Sequence, residues 1–218
     1  HSNFLISQAQ AEMRRAPEAR QGLIDTVTAF SRFTFAPTSP EYAVAAEDAA
    51  HARFLLLEEQ MRAFEQIRIR GREAEQKRAI TDLAKRVTGF EALEGYGGVK
   101  RYNRPTWTVA AQFRIGYAYE VFAKALLSTP LPQGVRAGTE AEAIYRQFLE
   151  ERVRAVENRA VTEYARVAEA ARAGNIRNDW TRLAAERLYA YRPEEYPLMR
   201  DAQTPQQLDS VTTPGLAP

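Results

Sequence analysis

Cysteine is absent from the chain, and with it go disulfide frameworks, cysteine-ligated zinc and thiol nucleophiles. The absence is equally compatible with cytoplasm and periplasm. Histidine is almost as scarce, with only His1 and His51 present, so imidazole-based metal or triad chemistry has a single internal residue to draw on. No run of the roughly 18 apolar residues needed to cross a bilayer occurs. The first 16 residues lack the basic-then-apolar order of a signal peptide. The chain opens on His1-Ser2 and not Met, which reads as a mature fragment with room upstream for an export signal or a lipid anchor.

Charge of one sign is missing too. The 30 basic residues, all but Lys77, Lys85, Lys100 and Lys124 being arginine, nearly cancel 28 acidic ones and leave +2. Proteins whose partner is a nucleic-acid backbone or an anionic membrane carry a localised basic excess, so neither partner is expected. No Gly-x-Ser-x-Gly turn occurs, and Gly95-Tyr96-Gly97-Gly98 lacks the preceding strand and Lys-Ser/Thr ending of a phosphate loop. It reads as a flexible turn.

What is present is helical pattern. At 45% hydrophobic and 27% charged, 218 residues fall in the ordinary globular range and suffice for a sizeable core. The clearest stretch runs from Pro105 to Pro132, starting at a proline and stopping at a double-proline break. It is apolar on much of its circumference, which predicts a helix packed between neighbours. Gly116 inside it predicts a close helix crossing, because glycine there costs about 1 kcal/mol relative to alanine.

Other segments follow the same logic. Phe4, Leu5, Ala9 and Met13 mark a first helical face, and Leu23, Ile24, Val27, Phe30 and Phe33 or Thr34 a second, inner one. Ser39-Pro40 opens a helix expected to reach Arg70, and Arg72 to Leu93 is expected to fold back on it as an antiparallel hairpin. Thr106 or Asn103 is the expected cap of the central helix. Thr139 with Glu142 forms a capping-box pattern, with Ala143, Ile144, Phe148, Leu149 and Val153 as the inner face. That helix is expected to end near Val156, with another carrying Ala160, Tyr164 and Val167. Gly174-Asn175 stops it, and a last helix carries Trp180, Leu183 and Leu188. No strand is expected, so the fold class is all-α, with residues 1–200 forming one domain and 201–218 a disordered or surface-lying tail.

Segments 40–94, 106–150 and 157–191 each read as helix, turn, helix. Small and aromatic residues recur at their crossings, as in tetratricopeptide repeats, which favours a divergent short α-solenoid over an irregular helical bundle. Trp107, Ala110-Ala111, Phe113-Arg114-Ile115-Gly116, Tyr119-Glu120, Phe122-Ala123, Leu126 and Pro130-Leu131-Pro132 carry a further likeness. With Tyr145, Ala160, Tyr164, Gly174-Asn175, Trp180, Leu188, Pro193 and Tyr196-Pro197, the region from about 40 to 200 resembles the C-terminal helical region of tetratricopeptide-repeat cell-envelope proteins of myxobacteria and related bacteria. The resemblance implies a periplasmic or outer-membrane-associated scaffold, some members being linked to gliding motility and outer-membrane assembly.

The expected function is therefore non-enzymatic binding of a protein or peptide partner, without a cofactor. Tyr, Trp and Arg are the residue types enriched at binding hot spots. Tyr102, Arg104, Arg114 and Tyr117 cluster at the start of the central helix and are the candidate partner-binding residues. Two alternatives are a metal-dependent helical enzyme using His51 with Glu47 and Asp48, and a small-ligand-binding helical domain. A di-iron bundle needs two Glu-x-x-His elements, which this chain lacks. The basic corner at Arg68, Arg70, Arg72, Lys77 and Arg78 is interspersed with Glu73 and Glu75 and reads as a solvated surface.

Overall fold

The computed structural model describes residues 1–12, 16–34, 36 and 38–197. Met13 and the tail at 201–218 lie outside the described residues. Within them the chain is all-α: α1 (Ser2–Glu12), α2 (Ala16–Arg32), α3 (Pro40–Glu65), α4 (Glu73–Glu91), a 3₁₀ helix (Tyr96–Tyr102), α5 (Pro105–Leu127), α6 (Glu140–Gly174) and α7 (Asp179–Tyr191). No strand occurs among the described residues.

Local chemistry explains most boundaries. The Ser39 side chain accepts the Tyr42 amide at 3.0 Å and Pro40 takes the first turn, where its missing N–H costs nothing. α3 ends at Glu65, short of Arg70; Ile69 then runs out of helix and buries its side chain in the core. The expected hairpin of α3 and α4 is not a direct one. Their backbones barely approach, and they meet through long side chains such as Phe64 and Phe90, with ring centroids 5.4 Å apart. The 3₁₀ helix and α5 touch both.

The central helix lies where the sequence puts it. Val109, Ala110, Ala111, Phe113, Ile115, Ala118, Tyr119, Phe122 and Leu126 are all buried, around the whole circumference. Its longest contact is with α6, which runs antiparallel to it: Gln112 meets Glu163 and Tyr119 meets Arg159. At Gly116 the backbones close up, and a Cβ built there would lie 2.9 Å from two ring carbons of Tyr164.

α6 corrects the expectation of two helices: it is continuous for 35 residues. Tyr145, Leu149, Val153, Val156, Ala160, Tyr164 and Val167 stay on one stripe against the core, so nothing forces a joint. Its phase also differs from that expected. Ile144 is exposed and Tyr145 is buried, its hydroxyl donating to the side-chain oxygen of Gln76, whose Nε2 donates to the Pro130 carbonyl at 3.2 Å. Ala143 is likewise exposed. Asn175, at φ 47°, supplies the left-handed stop.

The Gly95–Arg104 interval is built structure and not a flexible turn. Tyr96, Val99 and Tyr102 of its 3₁₀ helix are buried in the main core. Its glycines let it press against the end of α4: a Cβ on Gly97 would meet the Glu91 carbonyl oxygen at 2.0 Å, and one on Gly98 that of Leu93 at 1.9 Å.

α1 and most of α2 pack apart from this core, which α2 reaches through Phe30. Phe4 and Leu23 join Ala52 of α3 in a second, smaller cluster with Val27, Leu55 and Leu56 packed on it. Leu5 and Ala9, expected inside, are exposed, and so are Phe33 and Thr34, one of them expected inside, because α2 ends at Arg32 before reaching them.

Candidate partner-binding surface

The junction of the 3₁₀ helix and α5 positions the Tyr/Arg cluster. Asn103 adopts a left-handed φ of 51° and ends the 3₁₀ helix, and Arg104 becomes the residue before Pro105. Neither Asn103 nor Thr106 caps α5; the cap position is Arg104, whose side chain makes no capping bond.

The four predicted residues occupy different environments. Tyr102 is 3% exposed, with its ring edge-on to Phe30 at 5.3 Å, and burial raises the pKa of its phenol. It is a packing residue. Arg104 is half-buried, with its guanidinium 5.8 Å from the Tyr42 ring centroid and its Nε shielded without a hydrogen-bond partner. Arg114 is half-buried too. It pairs with the Glu58 carboxylate and lies over both Tyr117, at 5.2 Å, and Trp180, at 5.3 Å. Glu58 also accepts the Tyr96 hydroxyl at 2.6 Å. Arg114 is therefore a tie between α3, the 3₁₀ helix, α5 and α7. Tyr117 sits beside it, its phenol pKa raised by burial and then by its hydrogen bond to Glu65.

Of the four, Arg104 continues into a larger surface that the sequence reading did not single out. Tyr42, beneath Arg104, has its ring 5.9 Å from Phe30. Phe30 lines a groove of about 620 Å³ between the start of α1, the end of α2 and the start of α3. Phe33 and Val44, 67% and 45% exposed, line it as well. The available signal was the i, i+3 spacing of Phe30 and Phe33 at the end of an amphipathic helix.

Glu120, Glu163, His51 and Trp107 are engaged in structure. Glu120, 3% exposed, accepts the Tyr164 hydroxyl at 2.7 Å and Lys124 at 2.6 Å; Arg187 Nε lies 3.2 Å away but is not aligned for a hydrogen bond. Glu163, 1% exposed, pairs with Arg166 at 2.6 Å and accepts from Gln112. His51 stacks on Trp107 with centroids 4.0 Å apart and faces Phe4 at 4.9 Å. Burial lowers its pKa, against the opposing pull of Asp48. Trp107 donates its indole N–H to Glu47 at 2.7 Å. Among the described residues no group of three or more His, Asp or Glu is placed to hold a metal ion. No helix among them is long and apolar enough to cross a membrane.

Comparison with protein-family models, with curated proteins and with solved structures finds no match to this chain.

Proposed function

We propose that the chain is a non-enzymatic helical scaffold that binds a protein or peptide partner in a bacterial cell envelope. The observation that carries this reading is the surface running from Arg104 over Tyr42 and Phe30 to Phe33 and Val44. It combines a half-buried arginine, aromatic rings and apolar side chains at the surface, the composition of a binding hot spot. Arg114 and Glu120, in the main core, tie helix to helix.

The short-solenoid reading belongs with this proposal. Its support is the succession of packed neighbours, α5 on α6 and α6 on α7, with a small-residue crossing at Gly116. One long α6 serving two successive pairs is a departure from equal repeats. Envelope location and a role in motility or outer-membrane assembly rest on the family resemblance alone.

A photo-crosslinking amino acid placed at Arg104 or at Val44 tests the partner surface in cells of the source organism. One discrete protein adduct from both positions, absent when the probe replaces exposed Glu150 on α6, is the expected result. Adducts that do not differ among the three positions would reject the surface.

A further inference from the structure

Buried acids in this protein follow a pattern with one exception. Glu120 and Glu163, 3% and 1% exposed, each have a Lys or Arg of their own helix as an ion-pair partner, and the half-buried Glu58 has Arg114. Asp48 is as buried, at 7% exposed, yet among the described residues its carboxylate is held only by the imidazole of His1, 2.8 Å away. That imidazole is 58% exposed. His51, one turn on, does not serve as a cation for it, since burial favours the neutral ring. A buried carboxylate without a fixed cation is expensive, and no arginine or lysine among the described residues pairs with this one.

The same carboxylate lines the groove of about 620 Å³ described above. Phe30, Phe33 and Val44 make its walls apolar, and Glu41 adds a second carboxylate. No Lys or Arg is among the described lining residues. The volume is that of a site for one small organic molecule, and apolar walls with one placed charge are the usual make-up of such sites. Aromatic walls also attract cations directly.

We propose that this groove binds a small arylalkyl ammonium ion, with its ring among Phe30, Phe33 and Val44 and its ammonium on Asp48 in place of His1. The site shares Phe30, Phe33 and Val44 with the partner surface proposed above, but amine binding and partner crosslinking are read separately, and each can fail while the other stands.

The test titrates the full chain with 2-phenylethylammonium and with neutral 2-phenylethanol, by calorimetry and by methyl NMR of Val44. The ammonium should bind at least about tenfold more tightly, the difference a charge-assisted hydrogen bond makes. Asp48→Asn should cost about tenfold. Val44→Arg, at a half-exposed position where folding is undisturbed, should abolish binding by supplying an internal cation and blocking the wall. His1→Ala should tighten binding several-fold, because it removes the competitor for Asp48. Equal binding of ammonium and alcohol, no binding of either at millimolar concentration, or indifference to both Asp48→Asn and Val44→Arg would overturn the proposal. So would tighter binding of a blocked Phe-Lys dipeptide, which would assign the groove to a peptide, or self-association that buries Val44.

Discussion

Gly116 shows how much a single position decides. By helix propensity alone Gly116→Ala should stabilise α5 by up to about 1 kcal/mol. The space decides otherwise: the added methyl would meet the Tyr164 ring at 2.9 Å and Glu163 Cβ at 3.3 Å. Tyr164 is fully buried and its hydroxyl is tied to Glu120, so the ring has no free rotamer to retreat to. Overpacking of this kind costs about 1–3 kcal/mol, and Gly116→Ala is therefore expected to lower stability in urea denaturation. An unchanged or raised midpoint would mean that α5 and α6 can move apart. This crossing was legible because glycine in an otherwise apolar helix has few other justifications. The role of Tyr102 was not, since a tyrosine next to glycines and arginines has the same composition whether it lies at a rim or in a core. What placed it inside was its ring contact with Phe30 of α2 and the main core beneath it, a long-range closeness that no local pattern encodes.

At the scale of elements, breakers were legible and continuity was not. Pro105 and the Pro130–Pro132 break bracket α5, observed as Pro105–Leu127, and Ser39-Pro40 and Asn175 do as much for α3 and α6. Between Arg154 and Ala160 the sequence has neither a breaker nor a strong apolar signal. The half-buried Val156 is enough to keep the stripe in phase, and α6 runs through. Ala155, exposed in mid-helix, separates the two possibilities. Proline there removes one backbone bond and clashes with the carbonyl of residue 151, so Ala155→Pro should cost about 3 kcal/mol or more in a continuous helix. A loss below about 1 kcal/mol, read from the urea midpoint, would mean that the chain has a joint at this point.

For the whole molecule, the two clusters imply unequal stability. The main core joins α3 to α7 through many large side chains, whereas α1 and α2 are held by Phe4, Leu23, Val27 and their few partners on α3, with Phe30 of α2 at the edge of the main core. Units with little buried apolar surface open first. His51 sits at this seam, between Phe4 of α1 and Trp107 of α5. Asp48 draws its pKa upward, but burial outweighs it and the folded value lies below the ordinary 6.5. The unfolded chain therefore binds a proton that the folded chain resists, and stability rises with pH across that interval. The contribution of neutral His51 is complete above about pH 6.5 and is lost as the pH falls toward the depressed folded value. Carboxylates protonate mainly below that window. Thermal unfolding at pH 7.5 and 5.5 should show a drop in the original chain that is smaller in His51→Phe, where an aromatic ring keeps the stack without the titration. Amide exchange, corrected for intrinsic rates, should place the lost protection in α1 and α2 while α5 and α6 hold theirs. An equal drop in both proteins, or a loss of protection that begins in α5, would show that His51 does not govern how the N-terminal helices are held.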